Sequence, residues 1–244
     1  MKYIRAAFFA LLLPACYESS RPSVPPHQQA LVVLTDGWDS LRAVVTAIEW
    51  TDNGWSIRQS HPAVVGQRGL GWGIGVTDFT SREGPVKVEG DQKSPAGIFR
   101  IGPAFGKYPA DSLADLLITY QQIDPQLQCI EDQNSAKYNQ LMMDNDPKKD
   151  WEQDDYMLRE DDLYDLGAFV NHNSNPAIAG AGSCIFLHLW RAPSMGTLGC
   201  TAMNKLDLLS HLIWLDPEKD PILVQMPRSI YPTIAAQYAL PPEI

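Results

Sequence analysis

The sequence predicts a mainly β fold of the α+β class that carries a helical insertion. Near the start, the β-rich residues 31–34 are followed by turn signals at residues 36–37 (Asp-Gly) and 53–54 (Asn-Gly). Residues 110–170 then shift toward helix formers and acidic residues. Later, residues 222–226 (ILVQM) indicate a buried strand. A β-rich core is therefore expected on both sides of the helical segment along the chain.

The size of the chain points to one large domain, and its charge limits the partners that the domain can bind. Its 244 residues are 45% hydrophobic, which is enough for one substantial core. The net charge of -10 argues against nucleic acid, or an anionic membrane surface, as an electrostatic partner. We expect the domain to span residues 30–227, with residues 228–244 as a C-terminal tail.

The first residues are typical of an export signal. Lys2 and Arg5 precede an apolar run over residues 6–13, and small or helix-breaking residues then lead to Cys16. The apolar run is far shorter than the roughly 20 residues that a membrane-spanning helix requires. We therefore expect residues 1–16 to direct the protein to the cell envelope or periplasm.

Residues 13–16 (LPAC) resemble the lipobox of bacterial lipoproteins. That resemblance implies that Cys16 is lipidated and becomes the new N-terminus, so that a lipid anchor is the protein's only membrane contact. The alternative is an ordinary signal peptide that is cleaved nearby and leaves Cys16 incidental. Residues 17–29 contain three prolines and lack apolar periodicity, which predicts an extended tether.

Two further segments show helical patterns. Within the insertion of about residues 110–170, Leu113, Leu116 and Leu117 are spaced for one helical face. Farther along, Asn204 is a candidate N-cap for a helix that Pro217 stops. The predicted apolar face of this second helix consists of Leu206, Leu209, Leu212 and Ile213.

No segment predicts a metal or cofactor site. Residues 144–155 begin with Asp-Asn-Asp but lack the glycine and the glutamate that a calcium-binding loop has at its sixth and twelfth positions. Residues 64–76 contain five glycines without the Gly-Lys-Ser/Thr ending of a phosphate-binding loop. Tight turns and close backbone approach explain these glycines better.

One segment brings a histidine and a cysteine close together. An apolar, strand-like run delivers His188, and a loop rich in glycine and proline delivers Cys200 directly after Gly199. An imidazole near a thiol accepts its proton and activates it as a nucleophile. The dipole of the helix at Asn204 would favour the thiolate, and backbone N–H groups of residues 199–201 would form an oxyanion hole. The alternative is a buried thiol beside a hydrogen-bonded core histidine.

Two motifs resemble the catalytic domain of the L,D-transpeptidase (YkuD-like) family. Members of that family have a histidine, a variable loop and a Ser/Thr-x-Gly-Cys motif, which His188 and residues 197–200 (TLGC) match. An earlier Gly-Asp-x-x-Thr/Ser-Pro-x-Gly stretch is matched by residues 90–102 (GDQKSPAGIFRIG). The resemblance covers roughly residues 30–227.

The resemblance implies a fold, a reaction and roles for particular residues. The fold would be a β-sandwich with a cradle for peptidoglycan stem peptides and no metal or organic cofactor. Cys200 would attack the carbonyl of the L-centre that precedes the terminal D-residue, and His188 would be its base. Thr197 and Gly199 would shape the turn. The acyl group of the resulting thioester would then pass to an amine, which frees Cys200.

The residues around the motif depart from the family pattern. Thr201 and Ala202 follow the cysteine, where many members place an arginine or asparagine that helps to bind substrate, so Arg191 or Lys205 would have to take that role. Leu189 follows the histidine, so a backbone carbonyl would have to orient the imidazole.

Two other residues are candidates for substrate binding. Trp190 is as well explained by packing as by a role in the cleft wall. His172 lines the cleft in one interpretation and is a hydrogen-bonded structural histidine in the other.

The remaining cysteines, Cys129 and Cys184, are expected either to form a disulfide or to remain two buried thiols. A bridge from Cys200 to either of them would block the nucleophile.

The sequence leaves the acyl acceptor open. A second stem peptide would give a crosslink, an amine on an envelope protein would give attachment, and water would make the protein a carboxypeptidase or amidase. Two rivals remain: a noncatalytic lipoprotein that binds peptidoglycan, and a secreted thiol protease.

Overall fold

The computed structural model describes residues 25–152 and 155–244, so the export signal and Cys16 lie outside the described residues. Within this part of the chain the structure has twelve strands, two α-helices (α1, Lys205–Trp214; α2, Tyr231–Gln237) and two short 3₁₀ helices, Ala110–Leu113 and Pro217–Lys219. The strands are β1 Gln29–Thr35, β2 Arg42–Thr51, β3 Gly54–Val64, β4 Leu70–Trp72, β5 Ser94–Gly106, β6 Tyr120–Gln122, β7 Leu127–Cys129, β8 Leu141–Met143, β9 Leu166–Val170, β10 Phe186–Leu189, β11 Thr201–Met203 and β12 Ile222–Pro227.

Eight of these strands form a closed β-barrel. They follow the order β12-β1-β2-β3-β11-β10-β9-β5, and β5 pairs back with β12 from Arg100 opposite Ile222 to Gly97 opposite Gln225. The predicted β-sandwich is therefore wrong, although the mainly β character agrees with the structure.

The difference between sandwich and barrel lies in pairings of strands that are distant in sequence. Alternation of apolar and polar residues reports that a strand has one buried face, and this holds equally in both architectures. The barrel closes where β12 meets β5 and where Val64 of β3 meets Ala202 of β11. Closure pairs backbone groups that would otherwise lie at an open edge.

The predicted helical insertion is also wrong. Between residues 110 and 170, the described residues contain one 3₁₀ turn, strands β6 to β9 and many tight turns. The physical reason is that aspartates bind nearby backbone N–H groups: Asp124, Asp132 and Asp146 each accept from the N–H two residues later. Such bonds compete with helix formation.

Helix α1 forms where the sequence predicts it, but it buries a different face. The side chain of Asn204 accepts a hydrogen bond from the N–H of Asp207, which confirms the predicted cap. The buried side chains are Leu208, His211 and Leu212. Leu206 and Ile213, which were assigned to the apolar face, are exposed.

Both ends of the described domain pack against the barrel. The ring of His27 lies 2.8 Å from the Asp220 carboxylate, so the end of the expected tether is held in place. In the segment expected to be a C-terminal tail, α2 buries Tyr231, Ile234 and Ala235. Neither α-helix of the described residues has the length and apolar character needed to cross a membrane.

Candidate active site

Two parallel strands bring His188 and Cys200 into one cleft. His188 lies on β10 opposite Ala202 of β11, and Cys200 immediately precedes β11. The N–H of Phe186 donates to Sγ of Cys200 at 3.3 Å. His188 and Cys200 line the same cavity, so the pairing of the two strands directs the imidazole and the thiol toward one space.

Hydroxyl groups hold the turn before Cys200. Oγ1 of Thr197 accepts from the N–H of Gly199 at 3.1 Å and donates to the carbonyl of Cys200 at 2.5 Å. Oγ of Ser94 donates to the same carbonyl at 2.7 Å and accepts from the N–H of Gly66. Gly199 adopts φ +151°, which favours glycine. Since its N–H is bound to Thr197, Gly199 does not supply the expected oxyanion-hole donor.

A change at Thr197 tests this turn through stability. Thr197→Val removes the hydroxyl at nearly constant volume and is expected to lower the free energy of unfolding by about 1 kcal/mol, because it removes two hydrogen bonds of a half-buried turn. Thr197→Ser keeps the hydroxyl and is the matched control. Urea unfolding of both variants measures the difference, and equal stability of the valine variant and the native protein would contradict this role.

The surroundings of His188 select one tautomer. Its Nδ1 lies 2.7 Å from the carbonyl oxygen of Leu189, which can only accept, so Nδ1 carries the proton of the neutral ring. Nε2 is then free to accept a proton. The ring of Tyr164 packs edge-on against the imidazole at 5.3 Å between centroids. The carbonyl that orients the His188 imidazole therefore belongs to Leu189.

Burial keeps both groups neutral in the resting site. Cys200 is only 8% exposed to solvent, and His188 is only 5% exposed. Desolvation raises the pKa of the Cys200 thiol to about 12. It lowers the pKa of the His188 imidazole to about 4, although the bond to Leu189 opposes this shift. The resting pair is a thiol and a neutral imidazole.

Helix α1 does not activate the thiol. Strand β11 separates Cys200 from the cap residue Asn204, and a strand rises about 3.3 Å per residue. The field of a helix terminus falls off within its first turn. The predicted effect of the helix dipole on Cys200 is therefore wrong.

Alkylation of Cys200 is expected to report the neutral resting state. Because the pKa of its thiol is about 12, the rate of reaction with iodoacetamide should keep rising up to pH 10, without a plateau near neutrality. Intact mass after timed quenching gives the rate, and Cys200→Ala is the blank. A plateau below pH 8 would show that the resting protein already holds a thiolate.

Two cavities meet at Cys200. One has a volume of about 300 Å³ and the other about 320 Å³. Both are lined by Arg159, Tyr164, Leu198 and Cys200. The first, which we name the acidic cavity, also contains Glu89, Glu131, Asp155, Lys87 and both residues of a disulfide. The second, the histidine cavity, also contains Gln67, Leu163, His188, Trp190, Arg191, Met195, Gly196 and Thr197.

Cys129 and Cys184 form a disulfide that lines the acidic cavity together with Cys200. The bond joins the last residue of β7 to Cys184, which lies two residues before the start of β10. It leaves Cys200 as the one free cysteine among the described residues. The thiol of Cys200 lies 3.6 Å from the carbonyl oxygen of Cys184.

The other candidate residues divide into two groups. Trp190 and Arg191 line the histidine cavity. His172 lines neither cavity: its Nε2 donates to the carbonyl of Ala181, and its Nδ1 accepts from the N–H of Ile74, as in a structural histidine. Lys205 also lies outside both cavities.

Three residues of the site had not been singled out from the sequence. Ser94 lies within the stretch at residues 90–102 that carries the family resemblance, so the motif itself was the available signal. Arg159 and Tyr164 belong to the segment that was assigned to helix, and no local pattern marks them. In the described chain, no group of three or more histidine, cysteine or acidic residues is arranged to hold a metal.

Comparison with known proteins adds little. No family model and no curated protein matches the chain. The structure of Bd1075 from Bdellovibrio bacteriovorus is similar with a TM-score of 0.35 and 14% identity, over 82% of this chain and 52% of that one. The structure of the helical cell shape determining protein Pgp2 from Campylobacter jejuni is similar with a TM-score of 0.37 and 12% identity, over 87% of this chain and 60% of that one. This chain thus spans less than two thirds of either, and at such scores neither likeness supports an inference.

Proposed function

We propose that this protein is a cysteine acyltransferase of the L,D-transpeptidase type that acts on peptidoglycan stem peptides. One observation carries the proposal: a free, buried thiol and an imidazole with an available Nε2 line the same cavity. The resemblance at His188, residues 197–200 and residues 90–102 supports the choice of substrate.

The first half-reaction forms a thioester. Nε2 of His188 accepts the thiol proton of Cys200 as Sγ attacks the carbonyl carbon of the L-centre. The new C–S bond replaces the C–N bond to the terminal D-residue. The proton on His188 passes to the leaving nitrogen, so the D-residue departs with a free amino group. Because both groups are neutral at rest, charge develops only while the substrate is bound.

The second half-reaction transfers the acyl group. An acceptor amine attacks the thioester carbonyl and gives a proton to His188 as the C–N bond forms. The C–S bond then breaks, and the proton returns to Sγ of Cys200. A second stem peptide gives a crosslink, an amine on an envelope protein gives attachment, and water gives carboxypeptidase activity. All three acceptors use the same thioester.

The proposed substrate lies outside the cytoplasm, which agrees with the export signal expected from residues 1–16. Lipidation of Cys16 would hold the domain at the membrane. The proposed partner is therefore peptidoglycan, with membrane contact through the lipid anchor alone.

Product analysis tests this function. The purified protein is incubated with a disaccharide tetrapeptide, and in parallel with an all-L tetrapeptide of matched composition. Mass spectrometry is expected to show release of the terminal D-residue together with dimers. Release without dimers would assign a carboxypeptidase, and cleavage of the all-L peptide would assign a thiol protease. An intact disaccharide tetrapeptide would contradict the proposal and favour a noncatalytic peptidoglycan-binding protein.

A further inference from the structure

Two arginines and one aspartate form a charged group at the histidine cavity. Asp161 accepts from Nε and Nη2 of Arg159 at 2.8 and 2.6 Å, and from Nη2 of Arg191 at 2.6 Å. The guanidinium of Arg159 also lies 5.1 Å from the ring centroid of Tyr164. Asp161 and Tyr164 thus hold Arg159 at one edge and one face of its guanidinium, so its position is set before any ligand arrives.

This group carries a surplus of positive charge. Two guanidiniums share a single carboxylate, and the bonds to Arg159 lower the pKa of Asp161 to about 2, so the carboxylate stays ionised. The bonds between Arg159 and Asp161 use Nε and Nη2 of the guanidinium and do not involve its Nη1 group. Both arginines line the histidine cavity, and none of the described residues that line it is acidic, although the chain as a whole carries a net charge of -10.

The chemistry of the proposed reaction decides which part of the substrate occupies this cavity. His188 lines the histidine cavity and not the acidic cavity, whereas Cys200 lines both. The leaving nitrogen takes its proton from His188, so it must come within hydrogen-bond reach of the imidazole. The leaving residue therefore lies in the histidine cavity, and the acyl part of the substrate extends past Cys200 into the acidic cavity.

We infer that Arg159 and Arg191 bind the free carboxylate of the leaving residue, so that the enzyme removes only the last residue of a donor peptide. Guanidinium groups bind carboxylates through strong, charge-assisted hydrogen bonds. A peptide that continued beyond the leaving residue would present an uncharged amide to the two arginines. This inference rests on the proposed function, and it assigns a specificity that the Cys200 and His188 pair alone does not provide.

Two donors that differ in one group test the inference. One is a stem tetrapeptide with a free C-terminal carboxylate, and the other is the same peptide ending in a carboxamide. The rate of Cys200 acylation is measured by quenched intact mass, with saturation curves to separate binding from the chemical step. We expect the native protein to react about 10- to 100-fold faster with the carboxylate donor, as the loss of a charge-assisted bond would predict.

Substitutions then assign the preference to the arginines. Arg159→Gln is expected to slow the carboxylate donor at least about 10-fold more than the carboxamide donor, so that the two rates converge. Arg191→Gln should likewise slow acylation by the carboxylate donor more than acylation by the carboxamide donor. Arg82→Gln is the matched control, because Arg82 also stacks on an aromatic ring, at 5.0 Å from the centroid of Phe79, but lies outside both cavities. Thermal melting of each variant checks that it is folded.

Each result separates this inference from the proposed function. Equal native rates with the two donors would overturn the inference and leave the acyltransferase intact. Equal slowing of both donors by Arg159→Gln, in a folded variant, would overturn it as well, because a merely structural role would give that result. Failure of both donors to acylate native Cys200 would overturn the proposed function and the inference together.

Discussion

Replacement of Cys200 by alanine is expected to abolish release of the terminal D-residue, with a loss of at least about 1,000-fold. The thioester cannot form without Sγ, and no other free cysteine lies among the described residues. The measurement is the initial rate of D-residue release from a disaccharide tetrapeptide.

The variant must remain folded for this loss to be informative. The removed thiol accepts from the N–H of Phe186, so a small loss of stability is expected, within about 1–2 kcal/mol. Cys200→Ser keeps a hydrogen-bonding group at the same place and serves as the matched control for folding. Release of the D-residue at the native rate by a folded alanine variant would remove Cys200 from the mechanism.

Replacement of His188 by asparagine is expected to lower the acylation rate by about 100- to 10,000-fold, the usual range for loss of a general base. Asparagine retains a side-chain N–H that can donate to the carbonyl of Leu189, but it cannot accept the thiol proton. The measurement is the rate of Cys200 acylation as a function of pH.

The pH profile separates a lost base from a damaged fold. In the native protein the pKa of His188 is lowered to about 4, so the base is already unprotonated above about pH 5 and the rate should not fall between pH 8 and pH 5. In His188→Asn the rate should rise with pH, because the thiolate must form without help. A native rate that fell steeply below pH 7 would contradict this assignment.

His172→Asn is the matched control for His188→Asn. His172 is also buried, and desolvation lowers its pKa to about 4 as well, but it lies outside both cavities. Its loss is expected to lower stability with little effect on the acylation rate of the folded protein. Equal kinetic losses in the two variants would mean that the effect of His188→Asn is structural.

The meeting of His188 and Cys200 at one cavity could be predicted from the sequence because both residues lie in short, continuous motifs. His188 and Cys200 are separated by one loop, and the parallel pairing of β10 with β11 brings them together. The helix cap at Asn204 was also predictable, because it depends on contacts within one turn.

The predictions of the sheet architecture and of the buried face of α1 were wrong because both features depend on contacts between distant segments. Barrel closure requires β12 to pair with β5, and no local pattern encodes that pairing. The buried face of α1 includes His211, whose ring nitrogens bond to Gln59 and His61 of β3, so a polar residue replaced the expected apolar one. Leu206, chosen by its spacing, points away from this contact and is exposed.

The prediction of a helical insertion at residues 110–170 was wrong for a different reason. Its composition favours helix, but aspartate side chains bind nearby backbone N–H groups, and the bond between Cys129 and Cys184 ties the segment to the barrel. Arg159 reaches the cavities only because of this non-helical course. Of the two residues to which we assign substrate specificity, Arg191 was a candidate from the sequence, whereas Arg159 lies in the mispredicted segment and was not.

The most direct test of the central claim is to trap the acyl-enzyme. Native protein is mixed with a disaccharide tetrapeptide, quenched in acid within the first turnover, and analysed by intact mass and peptide mapping. The account predicts an adduct equal to the acyl fragment on Cys200, formed together with an equal amount of released D-residue. Release of the D-residue without any adduct on Cys200, at a rate that Cys200→Ala retains, would contradict it.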